Sequence, residues 1–118
     1  MADSILTSTK SKLGITDPEV TAFDNDIIPL INMAFNTLTQ IGVGPDEGFF
    51  IEDDTATWED FIGDDRHIKV IEEYVYLVTK VIFDSSTMTA ATIEIFKEQA
   101  KQIECRLQYD FDVVRQTT

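Results

Sequence analysis

The sequence has one cysteine, Cys105, in 118 residues. Neither a disulfide framework nor a zinc cluster built on several thiolates is open to it. No apolar run approaches the roughly 18 residues that span a bilayer. Gly-rich phosphate loops, Ser-x-Gly nucleophile elbows and His-Glu-x-x-His zinc helices are missing. Basic residues are also scarce: 9 Lys+Arg stand against 22 Asp+Glu, for a formal net charge of -13. A chain this acidic does not hold DNA or anionic lipid through phosphate contacts.

The apolar content is ordinary, at 43%. The acidity therefore does not signal disorder. The length fits one domain, which at this size buries roughly 65% of the unfolded chain's surface. We expect a helical domain over residues 1–109 and a C-terminal tail over 110–118.

The charge is segregated. No Lys or Arg occurs between Lys12 and Arg66, and thirteen carboxylates do, which equals the whole net charge. The rest of the chain is balanced, nine acids against nine bases. A neutral frame thus carries one acidic segment. It reads either as a solubilising surface or as one that must repel nucleic acid or meet a basic partner.

Hydrophobic periodicity is helical almost throughout. A short helix is predicted over 7–13, with Thr7 as N-cap and Gly14 beyond its end, followed by a turn at Thr16-Asp17-Pro18. A second helix is predicted over 24–41. Ile27, Ile28, Ile31, Ala34, Phe35, Leu38 and Ile41 share one of its faces, and Pro29 marks its first turn or kinks it. Residues 42–57 read as a long irregular or hairpin-like loop, a kind of segment that is usually functional. Thr57-Trp58-Glu59-Asp60 has capping-box spacing before a short turn of helix ended by Gly63.

A third long helix is predicted from Asp64 or Asp65 to Phe83. Its apolar arc covers half the circumference, as a central helix with neighbours on two sides requires. The last helix is predicted over 89–109, with Phe96, Ala100, Ile103 and Leu107 spaced as a bundle seam. No helix signal follows Asp110. The fold class is all-α: a small helical bundle of three long helices plus one or two short ones.

Little here suggests reaction chemistry. His67, the sole histidine, reads as a boundary residue, because no nucleophile or orienting group accompanies it. Cys105 falls opposite the buried seam of its helix, so it faces solvent or another chain. The acidic pairs Asp24/Asp26, Asp53/Asp54, Glu59/Asp60 and Asp64/Asp65 lack the spacing of a calcium loop and read in part as helix caps. No catalytic, cofactor or metal site is expected. Trp58, Phe61 and Phe49-Phe50 cluster beside the acidic loop, as a small core that pins it or as an aromatic anchor for a partner.

Certain blocks form a recognisable series. They are Ile-Leu-Thr-Ser and Lys-Leu-Gly-Ile within 5–15, Phe-Asp-Asn-Asp-Ile-Ile at 23–28, Ile-Gly-Val-Gly-Pro-Asp-Glu-Gly-Phe at 41–49 and Ala-Thr-Trp-Glu-Asp-Phe-Ile-Gly-Asp-Asp at 56–65. Tyr-Val-Tyr-Leu at 74–77 and Glu-Cys-Arg-Leu at 104–107 continue it. The chain resembles the adaptor, or head–tail connector, proteins of long-tailed double-stranded DNA bacteriophages, over residues 5 to about 108. Relatives often carry Trp where Cys105 stands, so no role of that ring is carried over.

The resemblance implies a non-enzymatic assembly protein without cofactors. It would form a homo-oligomeric ring beneath the portal protein, dock a stopper or tail-completion protein and extend the DNA channel, with DNA passing unbound and no membrane involved. Its place would be the virion head–tail interface, and the host cytoplasm during assembly. By position it implies portal contacts from the C-terminal segment, at Leu107, Tyr109, Phe111, Val113 and Arg115. The long loop (Asp46, Glu47, Phe49, Phe50, Glu52, Asp53, Asp54) would face the channel or a partner. Val70, Leu77 and Cys105 are candidates for the subunit interface, since a ring needs two different patches on each copy. A competing reading is an acidic DNA mimic that occupies the basic groove of a DNA-binding protein.

Overall fold

A computed structural model describes residues 4–17, 19–63 and 66–117, with side chains as far as Phe111. Pro18, Asp64 and Asp65 lie outside the described residues, and so do the side chains of Val113 and Arg115. The described chain is all-α. Its elements are α1 (Ile5–Lys12), α2 (Asp24–Gln40), α3 (Trp58–Ile62), α4 (Ile68–Phe83), a 3₁₀ turn (Ser85–Thr87) and α5 (Ala90–Thr117).

The organising element is α4, against which α1, α2, α3 and α5 all pack. Its apolar arc leaves few positions for solvent: Ile71, Tyr74, Val75 and Leu77 are buried, and Val70, Tyr76 and Val78 are partly buried against the core. The expected wide-arc helix is thus the centre of the bundle. The second helix contributes Ile27, Ile31, Ala34, Phe35 and Leu38, the face its periodicity defines. It runs unbroken through Pro29, which faces solvent. From α5 come Ala100 and Leu107, flanked by Phe96 and Ile103. Each fully buried side chain of Leu or Ile size stabilises the fold by about 1.5–3 kcal/mol.

Helix ends follow local chemistry. Beyond α2, the amide of Val43 donates to the Leu38 carbonyl at 2.8 Å and that of Gly42 to Thr39 at 3.1 Å. This is a Schellman stop, and it places Gly42 at φ +91°. The capping box at α3 forms as its spacing predicts: the Asp60 amide donates to Thr57 Oγ1 at 3.2 Å, and the Thr57 amide to Asp60 Oδ2 at 2.9 Å.

Three boundaries differ from expectation. The cap of α1 is Ser4 rather than Thr7, whose own amide donates to Ser4 Oγ at 3.2 Å. Ile5 and Leu6 are buried, which draws the helix start upstream. At α4 the start is Ile68 behind an αR His67, later than Asp64 or Asp65. Finally, α5 continues through the stretch read as a non-helical tail. Propensity is weak there, but tertiary contacts outweigh it: Asp110 pairs with His67, and the Phe111 ring lies 5.1 Å from the imidazole.

Candidate functional site

The loop between α2 and α3 has no strand among its described residues, so the hairpin alternative does not hold. Side chains take the place of strand pairing. Ile51 is clamped by Asn32 of α2: its amide donates to Asn32 Oδ1 at 2.7 Å, and its carbonyl accepts from Asn32 Nδ2 at 3.0 Å. Asn32 thus imitates the edge of a β-strand and satisfies a backbone segment that is otherwise buried. Val43 and Ile51 sit in the core. The loop's far end is stitched to α1. There the Ile5 amide donates to the Ala56 carbonyl at 3.0 Å, Ser4 and Thr57 form one antiparallel bridge, and Trp58 Nε1 donates to Ser8 Oγ at 2.8 Å.

The aromatic cluster pins this loop. Phe35 of α2 stands 5.1 Å from Phe49, 4.6 Å from Phe61 and 6.1 Å from Trp58, and Phe49 stands 5.2 Å from Phe61. Trp58 and Phe61 are buried, and Phe49 is partly buried. The cluster is continuous with the main core through Phe35. Phe50 points the other way and is 67% exposed.

The loop's carboxylates remain outside. Glu47, Glu52, Asp53, Asp54, Glu59 and Asp46 lie at the surface, and Asp60 lies with them. Asp53 closes a local turn, accepting from the Thr55 hydroxyl and from its amide at 2.9 Å. These bonds hold its carboxyl below the ordinary carboxylate value. Elsewhere in the acidic segment, Asp24 is neutralised by the buried Lys10, whose Nζ lies 2.8 Å from Asp24 Oδ1 and donates to the Val20 carbonyl at 2.6 Å.

The other candidates divide. Tyr109 is 69% exposed and Cys105 is exposed, and both face outward on α5. Phe111 is half-buried against His67. Leu107 and Leu77 are buried in the core, and Leu77 also borders a surface cavity beside α5. Val70 is half-buried against the same core.

Sequence reasoning missed two long-range polar contacts. His67 Nε2 lies 3.0 Å from Asp110 Oδ2, joining the start of α4 to α5. Tyr74, 1% exposed, donates its hydroxyl to Glu104 Oε2 at 2.9 Å. Burial first, and then the Glu104 carboxylate, push this phenol far above its usual value. Neither contact has a local signal, since the partners stand 43 and 30 residues apart. The His67–Asp110 pair fastens the start of α4 to α5. Among the described residues, no three His, Cys, Asp or Glu side chains converge to hold a metal ion, and no helix is long and apolar enough to cross a membrane.

The geometry is that of an all-α bundle with a pinned acidic loop and a long, outward-facing last helix. No curated protein and no solved structure matches the chain. A family model described as phage connector protein matches residues 5–114, nearly the whole sequence. The chain belongs to the phage connector protein family.

Proposed function

We propose that the protein is a non-enzymatic ring subunit beneath the portal vertex of a long-tailed phage, where it joins the head to a stopper or tail-completion protein and lengthens the DNA channel. The family match over residues 5–114 carries this reading. The exposed, pinned carboxylates of the acidic loop support it, because a conduit for DNA must not bind phosphate.

Electron microscopy of the protein with and without purified portal tests the proposal. An added ring that appears only with portal is the expected result. Absence of that ring, together with salt-sensitive binding to a DNA-processing enzyme that duplex DNA competes away, would replace this reading with the DNA mimic.

A further inference from the structure

The bundle is open along one side of its central helix. Both α2 and α5 pack on α4, but they make at most marginal contact with each other. Tyr74 of α4 lies buried in the core, and its hydroxyl donates to Glu104 of α5. Two turns further along α4, at Ile82, the space between α2 and α5 is unfilled. A cavity of about 610 Å³ lies on the α2 side, lined by Phe23, Leu30, Ile82 and Phe83 with Asp26 and Asp84 at its rim. A second, of about 260 Å³, lies on the α5 side, lined by Leu77, Val78, Val81, Ile82 and Ala100 together with Lys97 and Glu104. The two meet at Ile82. Together they form a trough floored by α4, and a helix is the element that completes such a bundle.

The chain itself carries a helix face suited to that trough. Opposite its buried seam, α5 presents Ala91, Ile95, Glu98, Gln102, Cys105 and Tyr109, all exposed and spaced alternately four and three residues apart. That is the spacing of a helix-packing seam. Of the described large hydrophobics with high exposure, Phe23 and Ile82 lie in the trough and Ile95 (56%) and Tyr109 (69%) on this seam, while Val20, Met33 and Phe50 lie on neither. Charge selects the same element. The 28 residues of α5 hold five acids and four bases, while the rest of the chain holds seventeen acids and five bases. The trough's lining holds Asp26, Asp84 and Glu104 against Lys97, with Asp84 paired to Lys80 at 2.7 Å, so α5 is the element a second copy can bring to it with least like-charge repulsion.

We propose that the outward seam of α5 in one copy seats in the α2–α4–α5 trough of the next, and that this head-to-tail contact builds the ring. The inference rests on the ring reading above. Its two patches are different surfaces of one chain, as a closing heterologous interface requires. Repulsion between copies of net charge -13 keeps the free protein apart until salt or the portal offsets it.

The test is thiol cross-linking of the full chain in molar sodium sulfate and, separately, on purified portal, with a short bis-maleimide. Ile82→Cys adds one thiol to the trough while Cys105 supplies the other on the seam. The expected result is a ladder of trimers and larger species. Wild-type protein and Gln40→Cys, at the far end of α2, should stop at dimers or below. Adding Tyr109→Glu to the Ile82→Cys protein should abolish the ladder with the far-ultraviolet dichroism unchanged. Multimers seen by mass measurement without an Ile82→Cys ladder would overturn this interface and leave the ring reading standing. Absence of multimers both in sulfate and on the portal would overturn the ring reading, and this interface with it.

Discussion

Replacing Gly44 with alanine should cost about 1–4 kcal/mol of folding stability, the sum of a backbone and a steric contribution. Gly44 sits at φ +87°. An L-residue there incurs roughly 1–2 kcal/mol of backbone strain, offset by about 0.4–1 kcal/mol because alanine restricts the unfolded chain. The second contribution is steric. A Cβ on Gly44 would run into the Phe61 ring, meeting Cε1 closest and lying 2.6 Å from Cζ. That ring cannot retreat: it is 3% exposed and flanked by Phe35 at 4.6 Å and Phe49 at 5.2 Å. Overpacking of this kind costs about 1–3 kcal/mol. Gly48 supplies the control, with φ +92° but open space where a Cβ would stand, no atom lying within 4 Å. Urea unfolding should therefore show Gly48→Ala losing about 1 kcal/mol or less, with Gly44→Ala losing about 1–3 kcal/mol more at unchanged m. In a Phe61→Leu background the extra cost of Gly44→Ala should shrink, a coupling of roughly 1 kcal/mol. Equal losses at the two glycines, with no coupling to residue 61, would refute the claim that Phe61 is locked against the turn.

Three further substitutions probe the polar contacts. Asn32→Ala removes both bonds to the backbone of Ile51 and leaves groups of a residue that is 2% exposed unsatisfied; it should cost about 2–4 kcal/mol and abolish hydrogen-exchange protection of the Ile51 amide. Tyr74 has its pKa raised above 10.0 in the folded state, so its stabilising contribution is complete below the unfolded value and is lost as pH rises through the alkaline range. Absorbance titration should accordingly show one tyrosine ionising only as the protein unfolds, and Tyr74→Phe should remove that step while costing about 1–3 kcal/mol at neutral pH. Asp110→Ala severs the contact with His67; far-ultraviolet dichroism should fall as the end of α5 frays, with global stability lowered by about 1 kcal/mol, and an unchanged spectrum would show that the pair does not hold that end.

What the sequence made legible was whatever is encoded within a turn or two of helix. The faces of α2, α4 and α5, the Thr57 capping box and the outward Cys105 follow from spacing alone. The fate of each loop aromatic was not legible. Phe49 and Phe50 are adjacent and identical, and only the position of Phe35 and the Asn32 clamp decide that one goes in and the other out. The start of α1 was misplaced because Ser4 and Thr7 are equivalent as caps, and burial of Ile5 and Leu6 chose between them. The last turns of α5 were missed because their support comes from His67, across the bundle. Leu107, a portal candidate by position, and Leu77, a neighbour candidate from the apolar arc of its helix, are both buried within the single chain. In each case the missing information is a contact distant in sequence.

The anchoring of the acidic loop decides how its charge can be tested. Val43, Phe49, Ile51 and Trp58 are all held in or against the core, so no long stretch between them is unanchored. The carboxylates between these anchors are therefore fixed in place, and their removal changes a local field rather than a loop's wandering. They are not interchangeable, however. Asp53 closes a turn and Asp60 completes a capping box, so neutralising either weakens the scaffold as well as the field. Glu47, Glu52, Asp54 and Glu59 are exposed, and their side chains make no described hydrogen bond or ion pair. Converting these four to Gln or Asn should leave stability within about 0.5 kcal/mol while removing four of the thirteen excess charges. If the loop faces the conduit, particles carrying the quadruple variant should assemble normally and eject DNA more slowly, and the defect should shrink as salt screens the remaining charge. Normal assembly with unchanged ejection at low salt would remove the loop from the channel wall and leave it to a protein partner.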